Sequence, residues 1–297
     1  MNPTRAALAS LIDYAGLFPP ASRDLPSVLA DHRRYLRSPD RWLLGRLIVP
    51  RARLDDLASL IAGESPSDGE ALPWTISVLA GAEAPLEPLG DEVGRLNPRL
   101  RRHGAAIVAI EVAVRTAGEI DRVARLVPDR YERYVELPLD EGLPRLVRAA
   151  AAGGCYAKVR SGGITAEAFP APAALARFMA LCAGHEVPFK ATAGLHHPFR
   201  GSYPLTYEPQ SVRATMHGFV PLVMAAALLY TRRIDEDAAA EILASREPFR
   251  IEEDGLRWGS HVVSGLDLSF SRAHLFRSVG SCSFEDALGD LRGAGWI

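Results

Sequence analysis

Short apolar runs rich in β-branched and aromatic residues alternate along this chain with longer segments whose apolar residues recur every three or four positions. The first pattern is that of a buried strand and the second that of an amphipathic helix. Their repeated alternation is the signature of βαβ units around a parallel sheet. Eight strands are predicted, at 14–20, 43–50, 74–81, 106–114, 133–139, 155–161, 188–194 and 275–281. Helical patterns lie at 25–37, 53–63, 117–127, 142–153, 172–184 and 284–295, and Thr116 with Glu119 gives the third of these a capping-box start. Eight strands with intervening helices predict an α/β chain folded as a (β/α)8 TIM barrel. A doubly wound open sheet is the alternative, but no GxGxxG follows an early strand.

A length of 297 residues with 48% hydrophobic side chains fits one such barrel spanning residues 1–297. The rhythm breaks between the seventh and eighth strands, at about 198–274. This stretch reads as a loop, a small-residue helix at 211–230, a second helix at 235–245 and a hairpin turning at Asp254-Gly255. It is expected to be an elaborated barrel connection that covers the mouth, where barrels build their active sites, rather than a second domain.

Composition excludes several classes of partner. The net charge of −2 comes from interspersed acids and bases, with no basic block to track a phosphate backbone, so nucleic acid is not expected. The longest apolar stretch, 218–230, is shorter than the ~20 residues of a membrane span, and the first residues lack the pattern of a secretion signal. Cys155, Cys182 and Cys282 are widely spaced without a CxxC, against a disulfide framework or a structural zinc site. The expectation is a cytoplasmic protein acting on a small molecule, with no membrane partner and with a homo-oligomer left open.

Only two of the 34 basic Lys and Arg residues are lysine: Lys158 in "CYAKVRS" and Lys190 in "PFKATAG". Arginine supplies surface charge as well as lysine does, but it cannot lose its proton to act as an amine nucleophile. Both lysines sit in apolar, strand-like runs. Strand alternation puts Lys158 on one face with Arg160, and Lys190 on one face with Thr192, Gly194 and His196. If those faces point inward, two lysines on neighbouring strands meet, and their repulsion and burial are expected to leave one of them a neutral amine. Buried cations need partners, and Glu111 and Glu136, carboxylates inside apolar runs, are the candidates. Glu136 is read equally well as an outward-facing salt bridge. Asp13, Tyr14 and Arg200 are candidates for the rim of the site, although Asp13 could equally cap local backbone.

Taken together, "LIDYAGLFPPAS", "IEVAV", "KVRSGG", "KATAGL" and "VGSCSF" resemble, in order and spacing over most of the chain, the motifs of the deoxyribose-phosphate aldolases, class I Schiff-base aldolases on a (β/α)8 barrel. The resemblance implies that Lys158 forms the imine, that Lys190 tunes it, and that Glu111, standing where the family carries aspartate, relays protons. It also implies an anion site in the backbone of Gly280 and Ser281 at the start of the last helix, where an ordinary helix N-cap is the alternative. Arg160 is expected to hold a substrate carboxylate or phosphate, with Glu136, Thr192, Gly194 and Asp13 completing the substrate contacts. The expected activity is a carbon–carbon lyase acting on a small aldehyde or ketone, without a cofactor.

Two other readings stay open. His196 is read as an acid/base or hydrogen-bonding group and His197 as a loop-packing residue, but His196, His217 and Glu136 could instead hold a divalent metal that stabilises an enolate. The second is a non-catalytic barrel that binds a small anion.

Overall fold

The computed structural model describes residues 2–63, 74–81 and 85–297. Eight parallel strands close into a barrel: β1 (Ile12–Tyr14), β2 (Leu44–Pro50), β3 (Trp74–Ala80), β4 (Ala105–Ala113), β5 (Glu132–Glu136), β6 (Tyr156–Arg160), β7 (Phe189–Thr192) and, last in the chain, β13 (Phe276–Ser281). β13 inserts between β7 and β1, and β2 pairs with β1 to complete the closure. Closure leaves no unpaired strand edge, so each strand is buried on both faces and reads as a near-continuous apolar run.

Helices wrap the barrel: α1 (Pro3–Leu8), α2 (Leu25–Leu36), α3 (Leu54–Ala62), α4 (Leu89–Arg101), α5 (Ala117–Leu126), α6 (Leu143–Ala152), α7 (Pro172–Gly184), α8 (Phe219–Tyr230), α9 (Glu236–Ala244), α10 (Gly265–His274) and α11 (Phe284–Gly293). α3 shows the rule they follow: Leu54, Leu57, Ala58 and Ile61 are buried at helical spacing while Asp55 and Asp56 of its first turn favour the positive end of the helix dipole. α5 begins with the expected capping box, Thr116 and Glu119 exchanging bonds with each other's backbone. The chain is thus a (β/α)8 TIM barrel.

Three local expectations are corrected. The first strand is Ile12–Tyr14 rather than 14–20: the chain turns just after Tyr14, with Phe18 N donating to Ala15 O, and Pro19 and Pro20 have no N–H for a ladder. A helix, α4, lies between β3 and β4 where none is predicted, its pattern broken in the sequence by Gly90, Gly94 and an internal Pro98. The helix expected at 211–230 is a short strand followed by α8, all of whose residues from Phe219 to Leu229 are buried. α8 touches β13 on one side and α7, α9 and α10 on the others. An all-apolar helix is what such a position requires.

The connection from β7 to β13 does not act as one cover. The antiparallel hairpin β8 (Gly201–Pro204) and β9 (Arg213–Met216) lies at the C-terminal end of the barrel, packed on Phe169, with Tyr207 bonded to Asp286. The antiparallel sheet β10 (Arg250–Ile251), β11 (Gly255–Trp258) and β12 (His261–Ser264) lies elsewhere, touching α1, which feeds the N-terminal end of β1, as well as α8 and α10. Its turn is the predicted one at Asp254-Gly255, where a Cβ on Gly255 would lie 2.0 Å from Val263 O. Among the described residues no helix is long and apolar enough to cross a membrane.

Candidate active site

Strand register brings the two lysines side by side. Lys158 on β6 is opposite Lys190 on β7 and Glu136 on β5, while Arg160 is opposite Thr192. Their side chains enter the barrel and meet carboxylates from β1, β4 and β5. Lys158 Nζ lies 2.7 Å from Glu111 Oε2 and 2.9 Å from Glu136 Oε2. Lys190 Nζ lies 2.5 Å from Asp13 Oδ2 and 2.9 Å from Glu111 Oε1. Glu111 therefore spends one oxygen on each lysine. Lys158, Lys190, Glu111 and Asp13 are at most 3% exposed, and Glu136 keeps 18% of its side chain open.

Hydrogen bonds fix the carboxylates. Ser77 Oγ donates to Glu111 Oε1 at 2.6 Å, Ser278 Oγ donates to Asp13 Oδ2 at 2.7 Å, and the Arg46 backbone N–H donates to Asp13 Oδ1 at 2.8 Å. Below this layer the Tyr134 ring lies under the Lys190 ammonium, 5.4 Å from Nζ to the ring centre. Its hydroxyl donates to Glu132 at 2.8 Å.

Three carboxylates face two ammonium groups, and that ratio decides the protonation state. Burial works against the charge of Lys158, but Glu111 and Glu136 outweigh it and hold its pKa above the ordinary lysine value. Burial likewise favours neutral Glu111, but Lys158 and Lys190 outweigh it and hold its carboxyl below the usual range. The expectation that mutual repulsion leaves a neutral amine is corrected for Lys158, which rests as an ammonium ion.

Above the layer, at the C-terminal end of the strands, opens a cleft of about 330 Å³. Lys158, Lys190 and Glu111 line it together with an apolar wall of Phe18, Pro19, Pro20, Ile48, Leu79 and Ile164. Arg160 reaches the cleft from the end of β6 and makes no ion pair with another described residue. Thr192, Gly194, His196 and Gly280 complete the opposite side. Ala193 and Gly194 are consecutive left-handed residues, at φ +67° and +71°, and a Cβ on Gly194 would sit 2.5 Å from the Phe169 ring. Gly280 is needed for space, since a Cβ there would lie 2.6 Å from Thr192 Oγ1.

The other predicted residues are distributed as follows. Asp13 is at the floor, not the rim, because β1 begins two residues earlier than expected and turns it inward. Tyr14 consequently faces outward, its hydroxyl donating to Asp31 at 3.2 Å, and Arg200 does not line the cleft. Gly280 and Ser281 end β13 rather than begin the last helix, whose N-cap is Ser283 and whose first turn already carries Glu285 and Asp286. Ser281 Oγ donates to Ser283 O and lies 3.0 Å from His196 Nδ1. His196 also neighbours Cys282 Sγ at 3.7 Å, and burial, with His197 beside it, pushes it down to about 4, so it is neutral at pH 7. His197 stacks on Tyr203 and lies 2.7 Å from Asp290.

His196, His217 and Glu136 are not gathered into a metal site. His217 Nε2 bonds to Pro170 O at 2.8 Å, Glu136 is committed to Lys158, and no group of three His, Cys, Asp or Glu among the described residues is placed to hold an ion. Sequence reading passed over Ser77, Ser278, Tyr134 and Glu132. Strand parity is the signal that finds them, since residues 132, 134 and 136 share the inward face of β5. Comparison with family models, with curated proteins and with solved structures gave no match.

Proposed function

We propose that this barrel is a class I aldolase-like lyase in which Lys158 forms an imine with a small aldehyde or ketone. The (β/α)8 fold is common among enzymes, and its sites lie at the C-terminal ends of the strands, where this cleft opens. One observation carries the reading above the others. The chain's only two lysines share Glu111 at the floor of that cleft, in a place where a purely structural ion pair would be served as well by arginine.

The resting ammonium of Lys158 must lose a proton before it can attack. Glu136, at 2.9 Å and with the most open of the three carboxylates, takes it. The free amine adds to the carbonyl carbon, the carbinolamine loses water, and a cationic iminium remains beside anionic Glu111. That cation accepts the electron pair of the neighbouring carbon–carbon bond as the bond breaks, releasing a carbonyl fragment and leaving an enamine. Protonation of the enamine carbon and hydrolysis then restore the lysine. Neutral His196 on the cleft wall is suited to exchange protons with substrate hydroxyls, and Arg160 to bind a carboxylate or phosphate.

The test is borohydride reduction in the presence of a panel of small aldehydes, ketones and keto acids, read by intact mass and peptide mapping. A reduced adduct on Lys158 is expected, absent in Lys158→Arg, which keeps the cation but not the nucleophile. An adduct on Lys190 instead would exchange the roles of the lysines. No adduct across the panel from folded protein would defeat the reading.

A further inference from the structure

The opposite end of the barrel is not closed. Below the lysine layer, at the N-terminal ends of the strands, lies a second cavity of about 570 Å³. Four guanidinium groups line it, those of Arg5, Arg46, Arg272 and Arg277, with Asp13 and Ser278 at its inner end. Asp13 is already committed to Lys190. Among the described residues the only other carboxylate bonded to these arginines is Glu132, which Arg46 meets at 2.7 Å and Arg277 at 3.3 Å.

Arg5 and Arg272 have no carboxylate bonded to them among the described residues, and Asp13 acts on Arg272 only through space. Arg272 spends its Nη groups on the carbonyls of Ala9, Phe276 and Arg277, and its buried Nε has no partner. Arg5 lies over the Trp42 ring, 4.8 Å from its centre, with no carboxylate on it. Burial, and the Arg277 charge beside it, push Arg272 down to about 9, so it stays charged at pH 7 but strained by its surroundings. Like charges gathered around one cavity repel one another, and an anion that joins them offsets that repulsion. Carbonyl bonds alone explain why Arg272 braces the strand ends. Glu132 draws Arg46 and Arg277 together, but one carboxylate leaves the four guanidinium groups around this space with a net positive charge.

We propose that this lower cavity is a second binding site, selective for a compact metabolite bearing at least two negative charges, of the phosphorylated or polycarboxylate class. The volume exceeds what a bare ion fills and falls within the range of small-molecule sites. Planar guanidiniums suit bidentate capture of either oxyanion. The site is separate from the upper cleft and does not rest on the imine chemistry proposed there. The two adjoin, however, through Asp13, which lines the lower cavity and holds a lysine of the upper one.

The test uses the full chain and three probes, inorganic phosphate, pyrophosphate and citrate, titrated calorimetrically at an ionic strength held constant with sodium chloride. Saturable one-to-one binding of at least one probe is expected. Arg277→Gln should weaken it tenfold or more. Arg5→Gln, at the exposed rim where folding is not at stake, should weaken it several-fold, while Arg160→Gln in the upper cleft leaves it unchanged. Absence of saturable binding for all three probes would overturn the proposal. So would binding that is lost in Arg160→Gln and kept in Arg5→Gln and Arg277→Gln, which would place the anion in the upper cleft.

Discussion

His32 is 1% exposed, lies edge-on to Trp74 at 5.2 Å, and has no hydrogen-bond partner for either ring nitrogen among the described residues. Burial, with the Arg33 charge beside it, pushes it down to about 4 from an ordinary 6.5. A folded-state pKa below the unfolded one means that the unfolded chain binds the proton first. Stability is therefore whole above pH 6.5 and is lost as pH falls towards 4, by about 3 kcal/mol at ~1.4 kcal/mol per unit. His196 shifts in the same direction through the same window. Glu111, held below the usual carboxylate range, adds its loss only at more acid pH. His32→Leu removes the His32 contribution, leaves those of His196 and His217, and removes two polar atoms unpartnered among the described residues. Urea denaturation from pH 8 to pH 4 should find the variant at least as stable as wild type at pH 7 and about 3 kcal/mol less sensitive to the fall in pH. An unchanged pH slope would show that His32 is hydrated or mobile in the folded protein.

At the scale of elements, small errors of boundary carried large consequences for the site. Moving the first strand from 14–20 to Ile12–Tyr14 turns Asp13 from a rim residue into the partner of Lys190, because Asp13 then stands inside the strand, between Ile12 and Tyr14, instead of in the loop before it. The lysines were legible, since their identity stands out against an arginine-rich chain and their strands were placed to within one residue at the start. Their protonation was not, because it depends on how many carboxylates converge from β1, β4 and β5, and one of these was hidden by that boundary. The turn after β7 was legible only as a glycine. The structure adds two left-handed residues in succession and a ring packed against Gly194. Gly194→Ala meets both a backbone penalty and a contact of 2.5 Å with Phe169, so a loss of about 1–3 kcal/mol is expected. Gly184→Ala, at the end of α7 with open space around its Cβ, should stay within ~1 kcal/mol of wild type. Thermal denaturation of the pair measures the difference, and equal midpoints would mean that the turn relaxes freely.

Across the whole molecule, two demands on the barrel interior can be separated. The alternating apolar pattern that made the fold readable also supplies its stability, through helix faces and outward strand residues such as Phe189 and Phe276, stacked at 5.1 Å. The ionic layer of Asp13, Glu111, Lys158 and Lys190 contributes no hydrophobic gain, and the desolvation of four charges offsets much of their attraction. Removing one member is different from removing the set. Glu111→Gln leaves two buried ammonium groups short of a counter-charge and should cost about 3–5 kcal/mol. Replacing the set together, with Asp13→Asn, Glu111→Gln, Lys158→Met and Lys190→Met, leaves no buried charge unpaired in that layer and keeps an acceptor for Ser77, Ser278 and the Arg46 N–H. Glu136, the most open of its carboxylates, can turn to water. The fourfold variant should therefore fall within about 2 kcal/mol of wild type, or exceed it, while forming no borohydride adduct. Urea denaturation of both variants decides the matter. A fourfold variant as unstable as Glu111→Gln would make the ionic layer a structural support of the barrel, and the two lysines would then need no chemistry to account for them.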